Sequence, residues 1–204
     1  MSRFIGSIFK KSRQMGMSLL ENNREFDKWK GRTSPPGQHG STRRRGKISI
    51  YGEQLREKKK VGLMYGLTDT QLRRFFKMAK KLEGSLSDNL LQLLERRLDN
   101  MVFRMNFAPT RRAARQLVSH GHVLVNGKKL DIPSALVNAK DEIEIVPKIK
   151  KIPLVNYLND NDTPDYVDVD VEGKRGIVLR YPERKEINHQ INEVYVVEWY
   201  KRLV

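Results

Sequence analysis

LERRLDNMVFRMNFAPTRRAARQLVSHGHVLVNGKK, residues Leu94–Lys129, is the stretch around which the rest of the chain is organised. Apolar residues recur at helical spacing through its first part, and they predict one helix that runs to about Met105. That apolar stripe consists of Leu90, Leu94, Leu98, Met101, Val102 and Met105. At about 100° per residue, Arg97, Asn100 and Arg104 fall together on one flank of the helix.

A second helix follows, and its two halves differ in character. Thr110 is a good N-cap residue, because its hydroxyl can accept a hydrogen bond from the first turn. One half is small and apolar, with Ala113, Ala114, Leu117 and Val118. The other half is polar, with Arg111, Arg112, Arg115, Gln116 and Ser119. We therefore expect the apolar half to pack on a core and the three arginines to point outward.

The second helix leads into a tight hairpin. Gly121 stands where a left-handed C-terminal cap is needed. Asn126-Gly127 is a strong signal for a type I′ turn, because both central residues of that turn need positive φ. Lys128 and Lys129 follow the turn. Two helices and a hairpin that carry their basic groups on a common surface are typical of RNA binding rather than of an active site.

The composition also indicates a polyanionic partner. The 204 residues include 40 Lys and Arg against 24 Asp and Glu, a net charge of +16. Such a charge repels itself unless a polyanion neutralises it, and nucleic acid and anionic membranes are the common candidates. No apolar run approaches the ~20 residues that span a bilayer, and the basic N-terminus lacks the apolar region of a signal peptide. We therefore predict nucleic acid as the partner, and neither a membrane partner nor secretion.

The charge is unevenly distributed along the chain. Residues 1–60 hold 16 basic and 5 acidic side chains, and residues 61–150 hold 16 and 9. Residues 151–204 hold 8 basic and 10 acidic side chains. We expect the first three-quarters of the chain to face the anion, and the last quarter to be structural or to face a protein partner.

The first 47 residues are basic and lack sustained periodicity, although Met15–Leu20 could form a helical turn. Two prolines and two glycines in Ser34–Gly40 predict an irregular loop, and Arg43, Arg44 and Arg45 follow it. Basic termini are often disordered tails. In a chain this basic we instead favour an arm that becomes ordered on the phosphates of an RNA.

Two helices are predicted between this arm and the organising stretch. The first covers Tyr51–Val61, with Arg56 and Lys58–Lys60 exposed. The second begins at Thr68, which matches a capping box with Gln71. Its apolar residues are Leu72, Phe75, Phe76 and Ala79. Its other faces carry Arg73, Arg74, Lys77, Lys80 and Lys81, either as a solvated surface or as a phosphate contact.

The last third of the chain predicts strands and a final helix. Alternating apolar residues place strands in Glu142–Val146 and Tyr166–Glu172, and Ile177–Tyr181 is expected to return as the partner of the latter. Ile191–Leu203 fits a strand or a short helix, and the spacing of its apolar residues favours the helix.

The sequence contains partial matches to nucleotide-binding and metal-binding motifs, but each lacks residues that its chemistry requires. Gly40–Lys47 resembles a phosphate-binding loop, but five residues separate its glycines and Ile48 stands where Ser or Thr would bind magnesium. His120 and His122 lack the further ligands of a zinc site, since the chain has no cysteine and no carboxylate cluster adjoins them. These histidines suit a helix cap or an RNA contact instead. We predict no metal, no cofactor and no enzymatic activity.

The organising stretch resembles the S-four RNA-binding domain in two motifs, ERRLDN at 95–100 and APTRRAARQLVSHGHVLVNGKKLDIPS at 108–134. Several protein classes share that domain, pseudouridine synthases and tyrosyl-tRNA synthetases among them. The flanking segments resemble the bacterial or organellar S-four family of small-subunit ribosomal proteins across nearly the full length. They are KKSRQMGMSLL at 10–20, PPGQHG at 35–40, YGEQLREKKKVGLMYGLTDTQLRRFF at 51–76 and PERKEINHQINEVYVVEWYKR at 182–202. The absence of cysteine matches the zinc-free branch of that family.

This resemblance implies an α+β fold in three parts. Residues 1–45 would form a basic N-terminal arm. Residues 46–90 together with 186–204 would form a discontinuous helical domain. Residues 91–185 would form an inserted RNA-binding domain, in which two helices pack on a small, mainly antiparallel sheet.

The resemblance also implies a structural ribosomal protein, which is the hypothesis that we favour. The family binds the 5′ domain of 16S rRNA, nucleates assembly of the subunit body and contributes to translational accuracy. The implied partners are ribosomal protein S-five and mRNA near its entry channel, on a cytoplasmic or an organellar ribosome. The alternative is an RNA-modifying or tRNA-binding factor, which would need a catalytic domain for which 204 residues leave little room.

The residues expected to contact RNA lie on all of the basic elements. They are Gln38, His39, Arg43, Arg44, Arg45, Arg56, Lys58, Lys59, Arg73, Arg74, Arg97, Arg104, Arg111, Arg112, Arg115, His120, His122, Asn126, Lys128 and Lys129.

Overall fold

The computed structural model describes residues 4–21, 26, 34–40, 48–147, 163–170, 173–188 and 190–203. Within these ranges it contains seven α-helices, one 3-10 helix and five strands, and the predicted α+β class is confirmed. The chain divides into two compact units. Unit 1 combines Met1–Ser87 with Asn188–Val204, and unit 2 is Asp88–Ile187.

The helices are short, and most carry a side-chain or glycine cap. They are α1 Ile8–Met15, α2 Ile50–Met64, α3 Asp69–Ala79, α4 Leu86–Glu95, α5 Leu98–Arg104, α6 Arg111–Ser119, the 3-10 helix Arg184–Glu186 and α7 Glu193–Lys201. None of the helices in the described part of the chain combines the length and the apolar character that a membrane span requires.

Unit 1 is helical, and α7 packs beside α2 within it. The rings of Tyr51 and Trp199 lie 4.9 Å apart between their centroids. Helix α3 joins the same core, because the ring centroid of Phe76 lies 5.4 Å from that of Tyr200. Aromatic pairs at this separation add packing energy beyond the area that they bury. The final segment is therefore a helix, as its apolar spacing favours.

The first turn of α3 is fixed both by its own cap and by its neighbours. Gln71 N donates to Thr68 Oγ1 at 3.4 Å and Thr68 N donates to Gln71 Oε1 at 3.0 Å, so the predicted capping box is confirmed. Asp69 pairs with Lys58 of α2 at 2.6 Å. Its Oδ1 also accepts a hydrogen bond from Tyr200 of α7 at 2.8 Å. One carboxylate therefore links three helices.

The helix of the N-terminal segment, α1, lies earlier in the chain than the apolar cluster predicted. The expected helical turn in Met15–Leu20 is wrong, since α1 ends at Met15. Ser7 caps its start by accepting from Lys10 N at 3.5 Å, and Gly16 ends it in the left-handed conformation at φ 70°. Apolar residues that follow Gly16 are buried, but their backbone is irregular. The spacing of apolar residues alone does not distinguish such a segment from a helix.

Unit 2 is built on an antiparallel sheet. Its strands are β1 Val123–Val125, β2 Lys128–Lys129, β3 Glu142–Ile145, β4 Val167–Asp170 and β5 Arg175–Val178. The strand order is β2-β1-β3-β5-β4. β5 begins two residues before the expected Ile177, because the turn closes early around Lys174, whose φ is 51°.

Helices α5 and α6 share a core with the buried side chains of this sheet. The strands contribute Val123, Ile143, Ile145, Val167 and Val178 to that core. Gly176 of β5 is needed for the close approach of a helix end, because a Cβ at that position would lie 2.6 Å from Met105 Sδ. Side chains at alternate strand positions thus form the floor on which the two helices rest.

The predicted long helix is two helices, and this is a correction. The chain leaves helical geometry at Arg97, whose φ and ψ of −64° and 138° are extended, and Arg97 forms a β-bridge with Leu136. Leu98 N donates to Ala135 O and Val137 N donates to Arg96 O, each at 2.9 Å. These bonds to a distant segment replace helical hydrogen bonds, so the continuous apolar stripe does not produce a continuous helix.

Candidate nucleic-acid interface

Helix α6 presents its arginines from a firmly anchored apolar half. Thr110 Oγ1 accepts from Ala113 N at 3.2 Å, as the sequence predicts for an N-cap. Ala114, Leu117 and Val118 are buried in the core of unit 2. On the opposite half, Arg112 is exposed, and Arg111 and Arg115 are half-buried.

The end of α6 and the hairpin are joined by two tight turns. His122 N donates to Leu117 O at 3.1 Å and Gly121 N donates to Val118 O at 2.8 Å, which together form a Schellman motif. Gly121 has the expected positive φ, 70°. Asn126 and Gly127 have φ values of 51° and 74°, so the hairpin turn is of type I′ as predicted.

Basic side chains collect where α6 meets the hairpin. The Lys129 side chain lies so close to Gly121 that a Cβ at that position would collide with it. The rings of His120 and His122 lie 5.9 Å apart. We call the polar half of α6 and this corner together the α6–hairpin surface, which consists of Arg111, Arg112, Arg115, His120, His122, Lys128 and Lys129.

Asn126 was expected to contact RNA, but its side chain is engaged within the hairpin. Its amide nitrogen donates to Asp141 Oδ1 at 2.9 Å, and its amide oxygen accepts from Glu142 N at 2.9 Å. Both ends of the amide therefore fix the turn against the start of β3. Asn126 thus has a structural role in the turn, and its contact with RNA stays a prediction.

Arg97 is a second correction, because its side chain is in the interior rather than on an outward flank. Only 2% of its surface is exposed. Its Nε and Nη2 atoms donate to the two carboxylate oxygens of Asp99 at 3.0 and 2.7 Å. The break between α4 and α5 turns this arginine inward, where a bidentate partner satisfies its charge.

Arg104 is half-buried and forms an ion pair with a buried carboxylate. Its Nε donates to Glu95 Oε2 at 2.9 Å and its Nη2 donates to Glu95 Oε1 at 3.0 Å. Tyr166 OH lies 3.5 Å from the same Oε2. Burial, and then the negative charge of Glu95, raise the pKa of Tyr166 well above its ordinary value, so the phenol stays protonated and can donate.

Two of the α6 arginines, Arg111 and Arg115, contact buried residues of α5. Arg111 Nε donates to Asn100 Oδ1 at 2.7 Å, and its guanidinium lies 4.6 Å from the centre of the Phe103 ring. Arg115 Nη1 lies 3.6 Å from Asp99 Oδ2. Only Arg112 of the three fits the simple expectation of an outward side chain on a polar half-helix.

Unit 1 brings four of the expected RNA contacts together around one cleft. The cleft has a volume of about 540 Å³ and lies between the 34–40 segment and α2. Gln38, His39, Arg56 and Lys59 are among its lining residues. Arg56 also fixes the cleft wall, because its Nη2 donates to Met15 O at 2.6 Å.

The other expected contacts of unit 1 are in differing environments. Lys58 is engaged with Asp69, and its Nζ lies 5.1 Å from the centre of the Trp199 ring. Arg74 on α3 is exposed and Arg73 is half-buried. Arg43, Arg44 and Arg45 lie outside the described residues.

A buried polar layer, which the sequence did not lead us to predict, underlies the arginines. Glu95, Asp99 and Asn100 are all buried. A signal was available, since two carboxylates four residues apart interrupt an apolar stretch, and buried carboxylates need partners. Among the described residues no group of three His, Cys, Asp or Glu side chains is arranged to hold a metal ion.

Comparison with protein families and known proteins identifies relatives along the whole chain. Residues 3–95 match the model of the ribosomal protein S4/S9 N-terminal domain, and residues 96–143 match the model of the S4 domain.

Full-length relatives agree with both family matches. The small ribosomal subunit protein uS4 of Malacoplasma penetrans is 55% identical over 204 residues, which cover 100% of both chains. The protein of that name from Mycoplasmoides gallisepticum is 53% identical and also covers 100% of both chains, and the one from Mycoplasma genitalium is 49% identical and covers 99% of both. The resemblance found in the sequence is thus confirmed, and the chain belongs to the uS4 family of small ribosomal subunit proteins.

Proposed function

We propose that this chain is a structural protein of the small ribosomal subunit and that it binds rRNA mainly through the α6–hairpin surface. The observation that carries the proposal is the construction of that surface. Arg112, His120, Lys128 and Lys129 are exposed at and around the two ends of a helix whose opposite half is packed into a core. Such a surface holds cations in place for phosphates without spending binding energy on ordering the backbone.

The chemistry of the surface suits a folded RNA. Arginine can contact a phosphate with two parallel hydrogen bonds, and it can also stack on a base. Helical RNA is recognised largely through its backbone and shape, because its major groove is deep and narrow. A rigid basic surface therefore reads where the phosphates of a folded junction lie rather than a linear sequence.

Unit 1 supplies a second contact region in this proposal. Its cleft residues Gln38, His39, Arg56 and Lys59 and the exposed Arg74 would meet RNA, and residues 1–45 would act as the basic arm. We assign residues 46–90 with 186–204 to the helical domain and residues 91–185 to the RNA-binding domain. The cleft, which is lined by Arg56 and Lys59 together with the apolar Met15 and Leu55, supports the assignment of unit 1 to RNA contact.

Membership of the uS4 family supports a more specific role. We infer that the rRNA site is the 5′ domain of 16S rRNA, that binding nucleates assembly of the subunit body, and that the protein influences translational accuracy. We infer ribosomal protein S-five and mRNA near the entry channel as further partners, and the cytoplasmic ribosome as the location. The family is one of ribosomal proteins and not an enzyme class, and we propose no catalytic activity.

A charge reversal at Arg112 tests the main contact. The full-length protein would be titrated against in vitro transcribed 16S rRNA at several salt concentrations. Arg112→Glu should weaken binding several-fold and reduce the slope of log K against log salt by about one, because a phosphate contact is lost. Arg112 is chosen because, of the three arginines, it is the most exposed, so folding should be least disturbed.

Lys185→Glu is the matched control. It makes the same change of charge in the same unit, at an exposed residue of the 3-10 helix outside the α6–hairpin surface. Its affinity and salt slope should stay close to those of the unmodified protein. Equal effects of the two substitutions would show that only net charge matters, and would contradict the proposed surface.

A further inference from the structure

We propose that Asn100 is a positioning residue for RNA binding, through which the buried Glu95 sets the orientation of the Arg111 guanidinium. This inference deepens the proposed function and rests on it, since Arg111 belongs to the α6–hairpin surface. It assigns a role in recognition to an amide that is 1% exposed and that RNA would not touch.

The first link joins Asn100 to Glu95. Asn100 Nδ2 donates to Glu95 Oε2 at 2.6 Å and also to the backbone oxygen of Glu95 at 3.0 Å. Both hydrogens of the amide are therefore used on one residue. Glu95 is itself immobilised, because it is fully buried and both of its carboxylate oxygens accept hydrogen bonds from Arg104.

The second link joins Asn100 to Arg111. With both donors directed at Glu95, the amide oxygen of Asn100 must point the other way, and Arg111 Nε donates to it at 2.7 Å. An Asn amide whose donors are fixed cannot rotate to present its nitrogen instead. Glu95 therefore determines which end of Asn100 meets Arg111.

Phe103 restrains the same guanidinium from a second direction. The ring is 3% exposed, and the Arg111 guanidinium lies 4.6 Å from its centre. An arginine side chain has several rotatable bonds, and ordering it costs conformational entropy when it binds. Here the hydrogen bond and the ring fix the side chain during folding, so less entropy remains to be lost when a phosphate binds.

The test is a double-mutant cycle in the affinity of the full-length protein for in vitro transcribed 16S rRNA. Arg111→Ala should weaken binding, and Asn100→Ala should weaken it by about tenfold, equivalent to ~1.4 kcal/mol. The double variant should bind no more weakly than Arg111→Ala alone, because Asn100 has nothing to position once Arg111 is absent. The salt slope should fall by about one for Arg111→Ala and stay unchanged for Asn100→Ala.

Arg112 provides the matched cycle. Asn100→Ala combined with Arg112→Ala should be additive, because Arg112 is not held by Asn100. Additive losses with Arg111 as well would show a general structural effect and overturn the positioning role. If Arg111→Ala binds as tightly as the unmodified protein, both the positioning role and the place of Arg111 in the surface are overturned. If Arg112→Glu weakens binding and Arg111→Ala does not, the proposed rRNA-binding function is supported and the positioning role of Asn100 is overturned.

A second variant covers the case in which Asn100→Ala does not fold. Phe103→Leu keeps the site apolar and removes the ring, which lies 4.6 Å from the Arg111 guanidinium and 5.8 Å from that of Arg104. It should also weaken rRNA binding with an unchanged salt slope, and it should be non-additive with Arg111→Ala. Full affinity in a folded Phe103→Leu protein, as judged by circular dichroism, would overturn the claim that fixing Arg111 contributes to binding.

Discussion

Two buried carboxylates, those of Glu95 and Asp99, hold the side chains of four arginines, either directly or through another residue. Glu95 accepts hydrogen bonds from Arg104 on both of its carboxylate oxygens, and Asp99 accepts them from Arg97 in the same way. Removing one partner of such a buried pair leaves an uncompensated charge and typically costs about 3–5 kcal/mol. The same carboxylates also reach toward Arg111 and Arg115 of α6, through Asn100 in the first case. Arginines with similar sequence surroundings therefore divide into structural and surface groups.

Asp69 makes the free energy of unfolding of unit 1 depend on pH in the acid range. Burial raises the pKa of Asp69, but hydrogen bonds from Lys58 and Tyr200, together with the positive charges of Lys58 and Arg73, outweigh it and hold the pKa below the ordinary value of 3.8. The folded state therefore binds this proton less readily than the unfolded state does. The contribution of Asp69 is fully present above about pH 4 and is lost as the pH falls through the lower, folded pKa.

We therefore expect Asp69→Asn to flatten the pH dependence of unfolding in the acid range below about pH 4. At neutral pH it should cost at most ~1 kcal/mol, because the ion pair with Lys58 is partly exposed. Urea unfolding followed by tryptophan fluorescence measures this, since Trp199 lies beside Lys58. Lys58→Met is the matched partner variant and should also reduce the acid dependence. An unchanged pH profile in both variants would contradict the assignment.

At the scale of elements, local signals predicted what local chemistry decides. Thr68, Thr110, Gly121 and Asn126-Gly127 act through backbone groups within a few residues, and the structure places each of these caps and turns as predicted. Features set by distant partners were not predictable. The break at Arg97 depends on backbone bonds to the segment around Leu136, about 40 residues later. No periodicity within Leu94–Met105 contains that information.

The candidate site shows the same division between local and distant causes. The polar half of α6 follows from helical geometry alone, so Arg112 could be placed outward from sequence. The inward turn of Arg97 follows from the break between α4 and α5 and from its pair with Asp99. The engagement of Asn126 follows from the register of β1 against β3, which places Asp141 and Glu142 beside it. A turn signal says nothing about which distant side chain will meet the turn.

Gly121 ends α6 and connects it to the hairpin, so a substitution at this residue should disturb both elements. Gly121→Ala should destabilise unit 2 by about 1–2 kcal/mol, because an L-residue at φ 70° is strained. The new Cβ would also displace the flexible Lys129 side chain. Hydrogen exchange of the α6 amides, read by mass spectrometry, would report the loss.

Gly121→Asn is the control for that prediction. It adds the same Cβ, but asparagine tolerates the left-handed conformation better than alanine does. We expect it to be less destabilising than Gly121→Ala, whereas both should displace Lys129. Equal losses of stability would show that collision rather than backbone strain sets the cost.

At the scale of the whole molecule, the two units differ in how the chain builds them. Unit 2 is one continuous segment with its own core. Unit 1 is discontinuous and needs α7 from the far end of the described chain to cover α2 and α3. Loss of the final helix should therefore affect one unit only.

Deleting residues 190–204 tests this independence. Amides of α2 and α3 should exchange faster by at least about tenfold, because the Tyr51–Trp199 and Phe76–Tyr200 contacts are removed. Amides of α5, α6 and β3 should keep their protection. Deletion of residues 202–204 alone is the control and should leave both units protected. A parallel loss of protection in unit 2 would show that the chain unfolds as a single cooperative body.

The discontinuity of unit 1 also sets an order of events during synthesis. A ribosome adds residues from the N-terminus onward, at roughly 5–20 per second. All of Asp88–Ile187 is therefore made before Glu193–Lys201. The middle of the nascent chain can complete its core, and with it the α6–hairpin surface, while the earlier helices still lack their last partner. The α6–hairpin surface can therefore form before unit 1 is complete.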